Sequence, residues 1–395
     1  MSTPSKIYSS RKEIETDKLR CWLEINLSNL KNNIQCIRNI ISNKLDIIAV
    51  VKANAYGLGA LGISKYLSSI GVKYFAVASI EEAYELRING QIKDEIIILS
   101  WTHPSEKENL IKYNFTQTLV DYDYAKKLNE LPGVLKCHVK LDTGMNRFGL
   151  TVNDIKQIKE MYTFKNLNIL GIFSHLCRVR EFGEEPDNYS KMQIENFHII
   201  LDKLEKEGVK VGLKHIVNSF GILRFNDKSF DLVRPGLLMY GVSHDPNNEE
   251  VDKLLGDNNF KPVASLRCKV MSVKFIEKGA KVGYNSKYTA DEKTKIAIIS
   301  IGYADGLSFA SSRLGFRCII KGHLCPVIGN VCMDSTIVKI PFDSDIQAND
   351  IVTIFGYIDD DEKHLNHKEF LTKSGAPCGE TFSRLGQRIT RICHM

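Results

Sequence analysis

Eight short apolar runs, spaced by segments of helical periodicity, leave few folds open to this chain. They lie at 47–51, 74–78, 96–100, 116–120, 138–141, 169–174, 215–217 and 232–234. The first, 47–51, is apolar throughout and suits a strand buried on both faces. Amphipathic segments at 80–89, 121–128, 152–161 and 192–207 fall between them. Strands alternating with helices make a parallel sheet, and eight such units close into a (β/α)8 TIM-like barrel. An open doubly wound sheet would carry G-x-G-x-x-G at its first strand-to-helix turn, and that turn lacks it.

The flanks read differently. A further strand is expected at 21–27, with Ser28 as the N-cap of a helix running to Ile40. Around Asp245-Pro-Asn-Asn-Glu the pattern becomes a polar linker. Short alternating runs follow at 264–276, 294–301, 317–320, 335–339 and 350–355, with turn pairs such as Lys278-Gly279 and Lys321-Gly322 between them. The expected organisation is α/β plus all-β: a barrel over 21–250, and a mainly β-stranded domain made of 1–20 and 251–395.

Composition narrows the partners. The chain is 43% apolar and 25% charged, ordinary for a globular enzyme. Its net charge of +6 is spread along the chain without a basic block, so no nucleic acid is expected. Residues 1–20 lack an apolar core, and no apolar run reaches membrane-spanning length, so neither a secretory signal nor a membrane partner is expected. Ten scattered cysteines without C-x-x-C fit reduced thiols, hence a cytoplasmic location and no metal site.

The first apolar run delivers Lys52 at its carboxyl end, the end where barrels place their chemistry. A buried ammonium is costly unless it has a partner or a lowered pKa, and a neutral lysine can attack an aldehyde. Lys52 alone would read as a lysine snorkelling at a strand end. Its surroundings, Val51-Lys-Ala-Asn-Ala-Tyr-Gly-Leu-Gly59, closely resemble the pyridoxal phosphate (PLP) lysine motif of alanine racemases. Lys140-Leu-Asp-Thr-Gly-Met-Asn-Arg-Phe-Gly149 is similar to a second motif of that family, and Asp142 there reads as part of a structural ion cluster. Gly171-Ile-Phe-Ser-His175, His215-Ile-Val-Asn-Ser219 and Val233-Arg-Pro-Gly-Leu237 match further motifs at later strand ends. Val282-Gly-Tyr-Asn-Ser-Lys-Tyr288, Ile301-Gly-Tyr-Ala-Asp-Gly306 and Gly329-Asn-Val-Cys-Met-Asp334 match others beyond the barrel. The matches keep family order over essentially the whole chain.

The resemblance implies a PLP-dependent racemase interconverting L- and D-alanine by a two-base mechanism. Lys52 would hold the cofactor and exchange the α-proton on one face, with Tyr284 as the second base. An ordinary phenol keeps its proton at neutral pH, and His175, backed by Arg234, would draw it toward ionisation. Tyr56, Asn218, Ser219, Gly236, Leu237 and Gln387 would complete the cofactor site. Arg234 would face the pyridine nitrogen, and an arginine cannot accept that proton. The ring is then a weaker electron sink, which favours quick reprotonation. Arg147 would orient the cofactor's phenolate and the substrate carboxylate, with a possible carbamate on Lys140 to neutralise and position it. Met333 would meet the substrate carboxylate through its N–H, and Tyr303 and Asn330 would line the entrance. In the family the tyrosine base enters the partner subunit's barrel, so a homodimer is implied.

The pattern breaks in places. Leu58 replaces the His of Ala-Tyr-Gly-His-Gly, and Arg178 and Arg180 add positive charge after His175. Asn330 stands where the family has an entrance Arg, and Gln387 stands for a Tyr that crowds the substrate side chain. Gln387 offers an amide with donors and an acceptor. A serine or broad-specificity racemase is therefore the alternative, similar to racemases linked to glycopeptide resistance but without their membrane domain. A PLP decarboxylase and a non-catalytic PLP-binding protein are the competitors outside that class.

Overall fold

The structure is a computed structural model that describes residues 7–8, 15–41, 44–225, 229–243, 248–357, 364–365 and 367–395. The linker expected at 245–249 falls partly outside them. The described chain divides into two compact units.

The first unit comprises 33–55 and 64–239. Its eight strands pair in parallel in the order Leu232–Val233, Asp46–Val50, Tyr74–Val77, Glu95–Ile98, Phe115–Leu119, Leu135–Lys140, Leu167–Phe173, Leu213–His215. The two ends of that order meet: Arg234 N–H donates to Val217 O at 2.8 Å, Asp231 N–H to Lys214 O at 2.9 Å, and Asn218 and Arg234 form a parallel bridge. The sheet thus closes as the apolar alternation requires. Ile47, Ile48, Ala49, Phe75, Ile97 and Val139 are fully enclosed or nearly so, the burial on both faces that their continuous apolar runs imply. Gly171 makes space within this closed sheet. A Cβ there would lie 2.9 Å from the His138 ring and 2.7 Å from Leu213 O, so only glycine leaves room for that imidazole inside the barrel.

The second unit gathers residues up to 32, 56–63, and 240 onward. Its axis is the strand Ala264–Ile276. One half pairs antiparallel with Cys21–Asn26 and Ile351–Tyr357, the other with Thr294–Ile299, which pairs in turn with Thr336–Lys339. Thr390–His394 lies parallel to Cys21–Asn26. Residues 21–26 therefore belong with the strand-rich unit and not with a barrel beginning at 21, because their ladder partners lie at 264–268 and 390–394. The helix Leu27–Ile40 begins one residue before the expected cap, and the Asn26 side chain, not Ser28, accepts from Asn29 N–H at 2.9 Å. The segment 56–63 is fastened within this unit: Arg391 donates twice to Gly57 O, at 3.0 and 3.1 Å. Gly57 sits at φ 82, where a Cβ would meet Phe382 O at 1.9 Å. No helix of the described residues is long and apolar enough to cross a membrane.

Candidate active site

In the barrel unit, Lys52 follows the strand Asp46–Val50. The next residues take an unusual path: Ala53, Asn54, Ala55 and Tyr56 all lie in the left-handed region, with φ of 52, 54, 53 and 55°. Each non-glycine residue there costs about 1–2 kcal/mol, so the turn persists only if neighbours hold it. Glu82 does so. Its carboxylate accepts from Ala53 N–H at 2.6 Å and from Ala78 N–H at 2.8 Å, tying the lysine turn to the end of the adjacent strand. Burial lowers the Lys52 pKa, the Arg147 and Arg234 charges add to that, and Glu82 opposes them. A lysine shifted in this direction is primed as a nucleophile.

Arg234 is buried and fully engaged. One guanidinium nitrogen donates to His215 Nδ1 at 2.7 Å and to His215 O at 3.0 Å. The other reaches Ser174 O at 2.5 Å, Ile216 O at 3.2 Å and His175 Nδ1 at 3.2 Å. An arginine has donors only, so both Nδ1 atoms must accept. That fixes two tautomers. His215 carries its proton on Nε2, which faces His138 Nδ1 at 2.9 Å, and His175 carries its own on Nε2. Burial, then the Arg234 charge, holds all three imidazoles neutral, His138 down to about 3. Burial also lowers Arg234, to about 9, which leaves it cationic at neutral pH. Asn218 lies 3.4 Å from His175 Nε2, but its amide N–H already donates to Leu176 O at 2.8 Å. The Nε2 proton is what His175 has left to offer.

Asn218 also caps the helix Ser219–Arg224, accepting from Gly221 N–H, while Ser219 Oγ accepts from Gly236 N–H at 2.8 Å. Ser219, Gly236 and Leu237 thus stand together beside the Arg234 strand, the Gly236 N–H bonded to the Ser219 hydroxyl. Lys140 is buried with Nζ 2.5 Å from Leu141 O and 5.5 Å above the Phe173 ring. Burial first, then Arg234, pulls its pKa to about 7, with Asp142 opposing. Asp142 accepts from Gly144 and Asn146 N–H, so it shapes the loop that presents the exposed Arg147. Arg178 is ion-paired with Glu181 and Glu185, so the charge expected after His175 is largely balanced locally.

The remaining sequence-derived residues belong to the strand-rich unit. Tyr56 packs edge-on against Tyr240 at 5.8 Å. Tyr284 is 71% exposed on a turn whose Gly283, Asn285 and Ser286 all have positive φ. Asn330 is only 5% exposed, and its amide donates to Tyr284 O at 3.0 Å, a placement that favours holding the Tyr284 turn over lining an entrance. Tyr303 and Met333, 45% and 53% exposed, sit on interlocked loops, and Gln387 is exposed.

Sequence reasoning passed over Glu82, His138 and the side chain of His215. Signals existed for two of them. Ser79-x-x-Glu82 is a capping-box pattern, and Ser79 does accept from Glu82 N–H at 3.4 Å. His138 lies two residues before Lys140 on one strand, hence on the same face.

Residues 25–244 match the family model of the alanine racemase N-terminal domain, and residues 263–393 that of its C-terminal domain. An amino-acid racemase of Enterococcus faecalis is 36% identical over 94% of this chain. The chain spans about half the length of that relative, 51%. The alanine racemase of Clostridium tetani is 37% identical over 85% of this chain and 86% of its own. Among solved structures, the alanine racemase of Clostridium difficile 630 superposes with a TM-score of 0.85 at 31% identity, covering 94% of this chain and 95% of its own. The same protein in complex with cycloserine gives 0.84 at 31% identity, with the same coverage. With both domains matched and relatives above 30% identity along most of its length, the chain belongs to the alanine racemase family.

Proposed function

We propose that this chain is a PLP-dependent racemase that interconverts L- and D-alanine. The observation that carries the reading is the Lys52–Arg234–His175 arrangement: a lysine with lowered pKa at a strand end, beside an arginine saturated by neutral histidines. The residues suit PLP. Lys52 has the nucleophilicity an aldehyde needs, and Ser219 offers a hydroxyl and Leu237 a backbone N–H for a phosphate, to which Gly236 N–H could turn from its present bond to Ser219 Oγ. Arg234 has no acceptor to take a proton from the pyridine nitrogen. When bound, the cofactor supplies the carbonyl and the electron-withdrawing ring that acidify the substrate α-carbon.

The protein supplies the rest. Arg147 holds the substrate carboxylate, and Met333 offers it a backbone N–H. Asn218 keeps His175 in register by its bond to Leu176 O. Lys52 Nζ takes or returns the α-proton on one face, and the Tyr284 hydroxyl does so on the other. Two bases on opposite faces are what inversion at one carbon requires. His175 Nε2–H is the donor that stabilises the Tyr284 oxygen when it has lost its proton. We place Tyr284 at the site of a second copy, making the working unit a homodimer. Lys140, buried and near neutrality, is a candidate for carbamylation by CO2, giving an anion that positions Arg147. The scattered thiols favour a cytoplasmic location, with an amino acid as the small-molecule partner.

The test is solvent deuterium incorporation at Cα of L-alanine and L-serine with added PLP, followed by NMR and chiral analysis. Exchange with appearance of the D-isomer is expected, faster for alanine. Bound PLP without exchange would sink the reading in favour of a decarboxylase or a carrier. The exposed Gln387 is the observation behind a second reading, a serine or broad-specificity racemase, and kcat/KM for L-serine above that for L-alanine would establish it.

A further inference from the structure

The strand-rich unit contains a carboxylate outside the chemistry described so far. The Asp305 side chain is fully buried, yet it carries four donors. Oδ1 meets Arg20 Nη2 at 2.5 Å and Arg388 Nε at 2.7 Å; Oδ2 meets Gly302 N–H at 2.9 Å and Arg20 Nη1 at 3.2 Å. Arg388 turns its other end to Asp334 at 2.7 Å, so two arginines face two aspartates and the group is balanced. Burial works against the Asp305 carboxylate, but its donors outweigh it and hold the pKa below the usual range.

The arrangement reaches three loops. Asp305 caps its own turn, Gly302 to Gly306, from which Tyr303 projects. Tyr303 N–H donates to Cys332 O at 3.0 Å and Ala304 N–H to Met333 O at 3.1 Å. Asp305 O accepts from Gly386 N–H at 3.0 Å, next to Gln387, and Arg388 on its other side touches Met333 O at 3.4 Å. The backbones approach closely. A Cβ at Gly302 would fall 2.3 Å from both Cys332 O and Met333 O, and one at Gly386 would fall 2.5 Å from Ala304 O. Three exposed side chains, Tyr303, Met333 and Gln387, therefore stand on peptides pinned around one buried charge.

We propose that Asp305 is a positioning residue for substrate discrimination: with Arg20 and Arg388 it fixes the loops bearing Tyr303, Met333 and Gln387, and so sets the preference between alanine and serine. This rests on the racemase reading above. A buried ion cluster is by itself weak evidence for stability, and holding one conformation among several is the use it can have here. Positioning of side chains to fractions of an ångström is what a specific site demands of its supporting shell.

The test compares holoenzymes of the unaltered chain, Asp305→Asn and Arg388→Met. The first keeps the shape and removes the charge. The second leaves the Arg20 pair and the Gly302 cap in place, and serves should Asp305→Asn fail to fold. Both are saturated with PLP, followed by its absorbance, before their kinetics are compared. KM for L-alanine should rise about tenfold with kcat changed far less, and the alanine-to-serine ratio of kcat/KM should narrow about fivefold, the scale of one lost charge-assisted hydrogen bond. Unchanged KM and ratio in the folded variants, or a loss of kcat alone, would overturn the proposal. If the unaltered chain racemises neither amino acid, the underlying reading fails, a result distinct from racemisation that the variants leave unmoved.

Discussion

Lys140 and Ala53 each cost the barrel unit stability, and each can be measured by itself. An unfolded lysine titrates at about 10.4, whereas burial and Arg234 pull Lys140 to about 7. Between those values the unfolded chain binds more protons than the folded one, so stability rises with pH across that window. Below about 7 the destabilisation is present in full. In CO2-free buffer, urea midpoints should therefore climb from neutral toward alkaline pH, and Lys140→Met should flatten the slope. Added 13C-bicarbonate should give a carbamate resonance that Lys140→Met abolishes. Ala53 is exposed in a left-handed conformation, with no packing to lose. Ala53→Gly should raise stability by about 0.5–1 kcal/mol, the left-handed cost of alanine less the extra chain entropy of glycine. A lower urea midpoint for this variant would mean that Glu82 has made the turn unstrained.

The Tyr284 turn shows how an element is held at one point. Positive φ values at Gly283, Asn285 and Ser286, around an exposed tyrosine, are secured by the Asn330 amide. Asn330→Asp keeps the shape and deletes the donor, and Asn330→Gln retains it. Turnover should drop about fivefold in the first, as for a lost hydrogen bond, and less in the second; equal losses would point to volume rather than the donor. At this scale much was legible. The strands 264–276 and 317–320 appear with the expected bounds, and each barrel strand overlaps its expected run, closely at Tyr74–Val77, where apolar residues are continuous, and by His215 alone at Leu213–His215, whose first two residues are only partly buried. Partnership was not legible. The run 21–26 identifies a strand, but nothing in Trp22 or Ile25 says that its neighbours are 264–268 and 390–394 rather than the barrel. The same limit hid Asp305, whose partners Arg20 and Arg388 are remote in sequence. Lys52, His175 and Arg234 could be proposed from sequence because each sits at or just beyond a strand end inside a motif, whereas Arg147, in the loop after Lys140, rested on the motif alone.

For the molecule as a whole, the proposed two-copy arrangement has an arithmetic signature. Lys52→Ala and Tyr284→Phe should each be inactive alone. In a statistical mixture half the dimers are hybrids, each with one intact Lys52–Tyr284 pair, so co-expression should recover about a quarter of full activity under twofold symmetry. No recovery would place both bases in one chain.

The His138–His215–Arg234–His175 row has one more consequence. Hydrogen-bonded imidazoles usually suggest a wire along which protons hop by alternating donor and acceptor. Here an arginine that keeps its proton at neutral pH occupies the middle, and it turns both neighbouring rings the same way, acceptors inward. The row is a dead end for proton traffic. Under the racemase reading, isotope taken from a substrate should therefore wash out from the side of Lys52 and Tyr284, not along this row.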